Sequence, residues 1–563
     1  MPSRPQAGGA PPALDNADGR IRINDCMTGP VHAVPTFVTQ VLLDLYIALW
    51  VILAAYGLHR LHLIRLSRRA CPLHAPDPPQ DWPSVTVQLP VYNELYVAER
   101  LLLAAAAIEY PRDRLEIQVL DDSVDETTAI IARKTEELRA QGVDVVHLRR
   151  GSREGFKAGA LQYGLAKARG ELLAIFDADF VPPPGILREL VPHFSEPRVG
   201  LVQSRWEHLN ADYSALARAQ ALSLDGHFVI EHAARMRAGR FFNFNGTAGV
   251  FRRSCIEETG GWQADTLTED LDLSYRAQLL GWRFVFVPHV ACPSELPVEM
   301  NAFKAQQYRW VKGSVQVARK LLPLIWRAPI PLPVKLEASI HLTYNLGYVV
   351  LLLLAFLLYP VVLVRYESRS LAGVLADTVL YLISTCSVLF YFAYAQRQIR
   401  PDWKRRIRDL PFAMSLAIGL AVNNTRAVVE AFAGHPSPFL RTPKFQIERR
   451  GDGWRGKRYR APVSAWALLE LLLGLYFAWA VLGLARAGHY AAIPFFLLYL
   501  FGFLYVGGLS ILHATAPRGA ADRGRRRRTA GTIQAAARPP YSTQGTHAGS
   551  RQAPVAANAG RVA

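Results

Sequence analysis

Cysteine is scarce: Cys26, Cys71, Cys255, Cys292 and Cys386 are the five in 563 residues, and none forms a CxxC or CxxH pair. That spacing excludes a recognisable zinc motif and a disulfide framework. Acidic residues are also in deficit, 46 against 64 Lys and Arg, which leaves a net charge of +18. The excess is not a nucleic-acid footprint, because its clearest clusters flank apolar runs or lie in the C-terminal tail, as on the cytosolic side of a membrane. No nucleic acid is expected as a partner. Residues 1–35 lack a short apolar core with a small-residue cleavage site, are rich in Ala, Pro and Gly, and read as a disordered lead.

What is plentiful is apolar sequence, 51% of the chain, and its uneven placement excludes a purely soluble fold. Runs of about twenty apolar residues are long enough to span a bilayer. The first, 36–59, is followed by Arg60, Arg65, Arg68 and Arg69, which places its C-terminal end in the cytosol. The pattern returns over 331–515, with spans expected near 341–364, 371–395, 463–484 and 490–513. A further segment, 410–434, is interrupted by Asn423-Asn424-Thr425-Arg426 and has basic clusters on both flanks. It reads as re-entrant or interfacial, the alternative being a full span lined by protein. Residues 516–563, with Arg525 to Arg528, read as a basic disordered tail on the same side as the cytosolic domain. A lipid bilayer is thus an expected partner. The Ala and Arg richness fits a GC-rich bacterial genome and hence a bacterial inner (plasma) membrane.

Residues 83–330 carry a different pattern. Short β-rich runs, 85–89, 116–120, 143–148 and 172–176, alternate with helical stretches, predicting an α/β domain with a mostly parallel sheet and helices on both faces, inserted between transmembrane helices. Ligands of such sheets gather beyond the carboxyl ends of the strands. Two of the predicted strands run directly into acids: Asp121-Asp122-Ser123 and Asp177-Ala178-Asp179. Strand-end aspartates can simply start turns; paired acids on a tight turn also suit a hard divalent cation that takes phosphate oxygens. A third group, Thr268-Glu269-Asp270, fits both an N-cap with acids in the first helical turn and a rigidly held general base. Then comes Gln306-Gln307-Tyr308-Arg309-Trp310, where Trp and Arg also suit an interfacial anchor.

Paired Asp, DxD, TED and QxxRW, in that order, resemble the processive family-2 glycosyltransferases of the cellulose-synthase-like type, from about residue 83 to 327. The strings Gln118-Val119-Leu120-Asp121-Asp122-Ser123, Gly155-Phe156-Lys157-Ala158-Gly159-Ala160-Leu161 and Phe241-Phe242-Asn243-Phe244-Asn245-Gly246-Thr247 are similar to the plant cellulose-synthase-like A and C proteins, which include β-mannan, glucomannan and β-glucan synthases. Asn245 stands where cellulose synthases carry Cys, a departure from that subgroup.

The resemblance implies a GT-A-like domain, a nucleotide-sugar donor (GDP-mannose or UDP-glucose), Mg²⁺ or Mn²⁺, a growing glycan and inversion at the transferred carbon. It assigns the donor base and ribose to Asn93, Glu94, Asp121 and Asp122, the diphosphate to Lys157, and the metal to Asp179 with Asp177. Asp270 would be the general base beside Glu269. Asn245, Gly246, Thr247, Gln306, Arg309 and Trp310 would hold the acceptor and the diphosphate. Phe439-Leu440-Arg441-Thr442-Pro443-Lys444 resembles the FxVTxK gating loop of cellulose synthases, and no PilZ-like RxxxR…DxSxxG pattern occurs. The alternatives are a non-processive family-2 transferase acting on a lipid and a non-catalytic transport subunit. The intact acids oppose the second, QxxRW the first. Accessory proteins, primer and chain length are not legible.

Overall fold

The computed structural model describes residues 36–68, 76–368, 370–437 and 439–515. The expected lead, the expected tail with Arg525 to Arg528, and Arg69, Cys26 and Cys71 lie outside the described residues.

Seven strands, β1 (Val85–Val91), β2 (Leu115–Asp121), β3 (Val145–Leu148), β4 (Leu172–Ile175), β5 (Val199–His208), β6 (Gly249–Arg252) and β7 (Arg283–Ser294), form one sheet in the order β3-β2-β1-β4-β6-β5-β7. Strands β1 to β4 pair in parallel, as do β5 and β7. Only β6 opposes its neighbours. The sheet is therefore the mostly parallel, helix-covered one expected of a GT-A-like domain. Strands buried on both faces need apolar residues at successive positions: Val87, Leu89 and Ile117 enter one core, while Leu120, Leu173 and Ile175 enter the other. Polar side chains caught between strands pair with each other, Thr86 with Glu116 at 2.7 Å and Gln88 with Gln118 at 3.2 Å, as buried polar groups require. Register then does the positioning. Val91 faces Asp121 and Gln88 faces Ile175, so the carboxyl ends of β1, β2 and β4 meet at one edge.

Among the described residues, five helices are long and apolar enough to cross a membrane: Phe37–Ser67, Leu332–Ser368, Leu371–Ile399, Trp466–Arg486 and Tyr490–Thr515. The first two overrun the expected 36–59 and 341–364, because flanking Arg and Lys are good helix formers and do not end a helix where the apolar run ends. The segment expected at 410–434 is a bent pair, Trp403–Gly419 and Ala421–Phe432, meeting at 42°. Protein groups meet part of its polar interruption: Asn423 donates to the Lys304 carbonyl at 3.0 Å and Thr425 to the Tyr348 carbonyl at 3.1 Å.

One helix, Met300–Arg327, joins the two regions. Glu299 caps it by accepting from the Asn301 and Ala302 amides at 3.0 and 2.9 Å. It packs on the helix Glu269–Leu279 and on Ala421–Phe432, and Lys304 forms a buried ion pair with Glu470 at 2.6 Å. The residues of QxxRW sit in its N-terminal half.

Candidate active site

The strand ends, the start of the helix Glu269–Leu279 and the helix Met300–Arg327 enclose a cavity of about 190 Å³. Twelve of the fifteen residues singled out from sequence line it: Glu94, Asp122, Lys157, Asp177, Asp179, Asn245, Gly246, Glu269, Asp270, Gln306, Arg309 and Trp310.

The other three support it from behind. Asn93, at φ 54°, a left-handed conformation that Asn tolerates, accepts from the Val124 amide at 2.9 Å, while its own amide donates to Ser123 Oγ at 2.9 Å. Asp121 is buried, accepts from the Ser123 amide at 2.8 Å and pairs with His147 at 3.0 Å. Thr247 Oγ1 accepts from the Asp177 amide at 2.9 Å, which fixes the first acid of the Asp-Ala-Asp turn.

Asp122 faces the cavity in a two-pronged pair with Arg150, at 2.7 and 2.6 Å. Lys157 Nζ lies 2.5 Å from Asp177 Oδ1 and donates to the Gly246 carbonyl at 2.8 Å. Burial opposes its charge, but Asp177, Glu269 and Asp270 outweigh that and hold the ammonium above its usual range. Glu94 is pushed up to about 8 by burial, with Arg441 opposing, and its Oε2 has no hydrogen-bond partner.

Asp270 is held differently from the simple cap expected. The helix begins at Glu269, and Thr268 at the cap position makes no side-chain cap bond; Asp270 Oδ1 instead accepts from the Leu271 amide at 2.8 Å. Thr268 is packed against Gly313, where a Cβ would stand 2.5 Å from its side chain, so glycine there lets the two helices approach. Burial first, then the adjacent Glu269, pushes the Asp270 carboxyl up to about 7. Gly246, at φ +82°, passes so close that a Cβ would lie 3.0 Å from Asp270 Oδ2. A base near neutrality, at a helix start, facing an open cavity, is suited to taking a proton from a hydroxyl.

The loop 439–444 closes over the site. Phe439 stacks on Phe156 at 5.5 Å, Arg309 lies over Phe439 at 4.5 Å and donates to Thr442 Oγ1 at 3.0 Å, and Lys444 Nζ lies 2.6 Å from Asp179 Oδ2. Arg150, Arg153 and Trp206 were not singled out from sequence. Arg153, stacked 3.4 Å over Tyr92, and Trp206 line the cavity. Lone Arg and Trp residues between motifs carry no pattern that marks them.

A second cavity, of about 270 Å³, lies among the membrane helices, lined by Trp50, Tyr56, Tyr348, Phe392 and Tyr499 among others. Gln306 and Trp310 line both cavities. Asp177 and Asp179 offer only hard oxygen donors, and among the described residues no group of three or more His, Cys, Asp or Glu could hold a metal by itself. The donor set fits a divalent cation that completes its shell with phosphate and water.

Residues 83–313 match the model of the glycosyltransferase like family 2 and form a domain of that family. The chain is 41% identical over 269 residues to a probable glucomannan 4-beta-mannosyltransferase 6 of Oryza sativa subsp. japonica, covering 47% of this chain and 46% of the relative. It is 41% identical over 252 residues to glucomannan 4-beta-mannosyltransferase 7 of Arabidopsis thaliana, covering 44% and 45%. The chain spans about half the length of the curated relatives it matches. A solved mannosyltransferase from Pyrobaculum calidifontis, in complex with GDP-Man and Mn²⁺, shares 22% identity over 69% of this chain and 100% of that one, with a TM-score of 0.48.

Proposed function

We propose that this protein is a membrane-embedded, inverting hexosyltransferase that polymerises a β-linked, mannose-containing glycan from a nucleotide sugar and passes the product into the membrane domain. The observation that carries this reading is the position of Gln306 and Trp310, which line both the acid-lined cavity and the membrane cavity. The shared lining makes the second cavity the neighbour of the first. The names of the relatives support mannosyl transfer to a glucomannan, hence GDP-mannose as donor ahead of UDP-glucose.

In the reaction the C1–O bond to the diphosphate breaks as a C1–O bond to the acceptor hydroxyl forms on the opposite face, turning an α-linked donor into a β-linked product. Asp270 takes the hydroxyl proton. Lys157 and Arg309 place positive charge beside the departing diphosphate. Asp177 and Asp179 would hold Mg²⁺ or Mn²⁺, which when bound neutralises charge on that leaving group. The indole of Trp310 offers an apolar face to the C–H surface of a pyranose and an N–H at the rim. Asn93 and Asp121 contribute by fixing the loops that carry Glu94 and Asp122. A nucleotide-sugar enzyme of a bacterial plasma membrane has its catalytic domain in the cytosol, and the loop 439–444, being in contact with Asp179 and Arg309, shares that side.

The test is to incubate the full chain in lipid nanodiscs with each labelled nucleotide sugar. The expected result is a polymer from GDP-mannose that a β-1,4-mannanase degrades. Label found only in a lipid would favour the non-processive alternative.

A further inference from the structure

Asn245 lines the cavity, and two histidines hold its side-chain amide. His232 Nε2 lies 2.7 Å from Asn245 Oδ1 and 3.0 Å from the Asn243 carbonyl. His227 Nε2 lies 3.0 Å from Asn245 Nδ2, and its Nδ1 lies 3.0 Å from Glu231 Oε2.

One backbone carbonyl fixes every proton in this chain. The Asn243 carbonyl can only accept, so His232 Nε2 carries a hydrogen. The amide atom facing it must then be the oxygen, which turns Nδ2 towards His227. His227 Nε2 must accept there, so its Nδ1 carries the hydrogen and donates to Glu231. Burial, with His227 and Arg235 nearby, holds His232 well below the usual imidazole range, and its Nδ1 has no hydrogen-bond partner, consistent with a neutral ring.

The local backbone makes this pairing possible. His227–His232 is a π-helical turn. On an α-helix, residues five apart diverge by about 140°, whereas an i→i+5 turn returns them to the same side, and the two rings sit 4.4 Å apart. The far side of the clamp is anchored on the membrane domain. Glu231 accepts from Tyr391 at 3.0 Å and from Arg235 at 3.2 Å, and Arg235 donates to Glu337 at 3.0 Å. Glu337 in turn pairs with His59 of the first membrane helix at 2.9 Å.

We infer that His227 and His232 are acceptor-positioning residues: they lock the Asn245 amide in one orientation, so that its remaining N–H is presented to a hydroxyl of the acceptor sugar beside Asp270. This rests on the transferase reading above. With one N–H committed to His227 and the oxygen to His232, the second N–H is the amide's free donor, and Gly246, the next residue, is the one that skirts Asp270.

The experiment compares full-length wild type with His227→Phe, His232→Phe, His227→Gln and His232→Gln in nanodiscs. It measures GDP-mannose affinity, GDP release without acceptor, and kcat/KM for a β-1,4-linked mannan oligosaccharide. A phenyl ring keeps the volume and removes the hydrogen bond; a Gln side chain keeps an acceptor at 227 and a donor at 232. The Phe variants should keep donor affinity and acceptor-free GDP release within about twofold while transfer efficiency falls about tenfold, with the Gln variants recovering to within about threefold. Phe variants that transfer like wild type, donor affinity falling in step with transfer, or Gln variants as impaired as Phe variants would overturn the clamp. A wild type that turns over no nucleotide sugar would overturn the transferase reading itself.

Discussion

Lys444 Nζ lies 2.6 Å from Asp179 Oδ2, joining the loop after the bent helix pair to the second acid of the Asp-Ala-Asp turn. The ammonium sits where a divalent cation would draw on the same oxygen, so the two compete. Lys444→Met is expected to bind Mn²⁺ about tenfold more tightly in the absence of nucleotide, since losing a partly buried ion pair of about 1.4 kcal/mol corresponds to that factor, while polymer synthesis falls. Titration of Mn²⁺ followed by EPR measures the first effect. Unchanged Mn²⁺ affinity would show that the contact does not guard the metal position.

Asp270→Asn should lower polymer synthesis by about 10²- to 10⁴-fold, the usual contribution of a positioned base, and leave nucleoside diphosphate affinity within about twofold. Calorimetric GDP titration beside a radiolabel incorporation assay separates the two. Substantial residual synthesis would remove Asp270 from the role of base.

The raised Asp270 carboxyl has two consequences with pH. A base must be deprotonated, so kcat/KM should rise with pH through about 7, where the carboxyl is held. For stability the sign is opposite. The fold favours the protonated acid, so this contribution is fully present below the ordinary carboxylate range and is lost as pH rises through about 7. Asp270→Asn should therefore gain Tm relative to wild type at pH 8 and not at pH 4. Differential scanning fluorimetry across that range checks it, and a pH-independent difference would contradict it.

Asp179→Ala should weaken GDP binding only when Mg²⁺ or Mn²⁺ is present, and excess EDTA should stop synthesis in the wild type. Full turnover in EDTA would exclude the metal assignment.

Gly246→Ala places a Cβ 3.0 Å from Asp270 Oδ2 at φ +82°, a conformation that costs an L-residue about 1–2 kcal/mol. Synthesis is expected to drop at least about tenfold with the chain still folded, measured by incorporation beside near-UV circular dichroism.

Much of this geometry was legible before any coordinates. Short β-rich apolar runs mark β1, β2 and β4, and the acids at or just after the ends of β2 and β4 fall at the ligand edge by topology alone. Other relationships were not legible. Asp121 and Asp122 are adjacent acids, yet one is buried against His147 and the other faces the cavity, a difference set by strand alternation at the very end of β2. Thr268 looks like a side-chain cap, but the approach of Gly313 takes it into a packing contact. The pairing of His227 with His232 at Asn245 carries no spacing signal, because the π-helical turn His227–His232 obeys neither of the two common periodicities. The interruption at Asn423 was readable as a break in the apolar pattern, whereas the 42° angle between the two helices was not.

The central claim, that the reaction cavity opens into the membrane cavity so that the product crosses, is tested most directly in sealed proteoliposomes with the catalytic domain facing out. Supplied externally with labelled GDP-mannose, they should accumulate polymer that added β-1,4-mannanase cannot digest until detergent is present. Polymer digested fully without detergent would contradict the account.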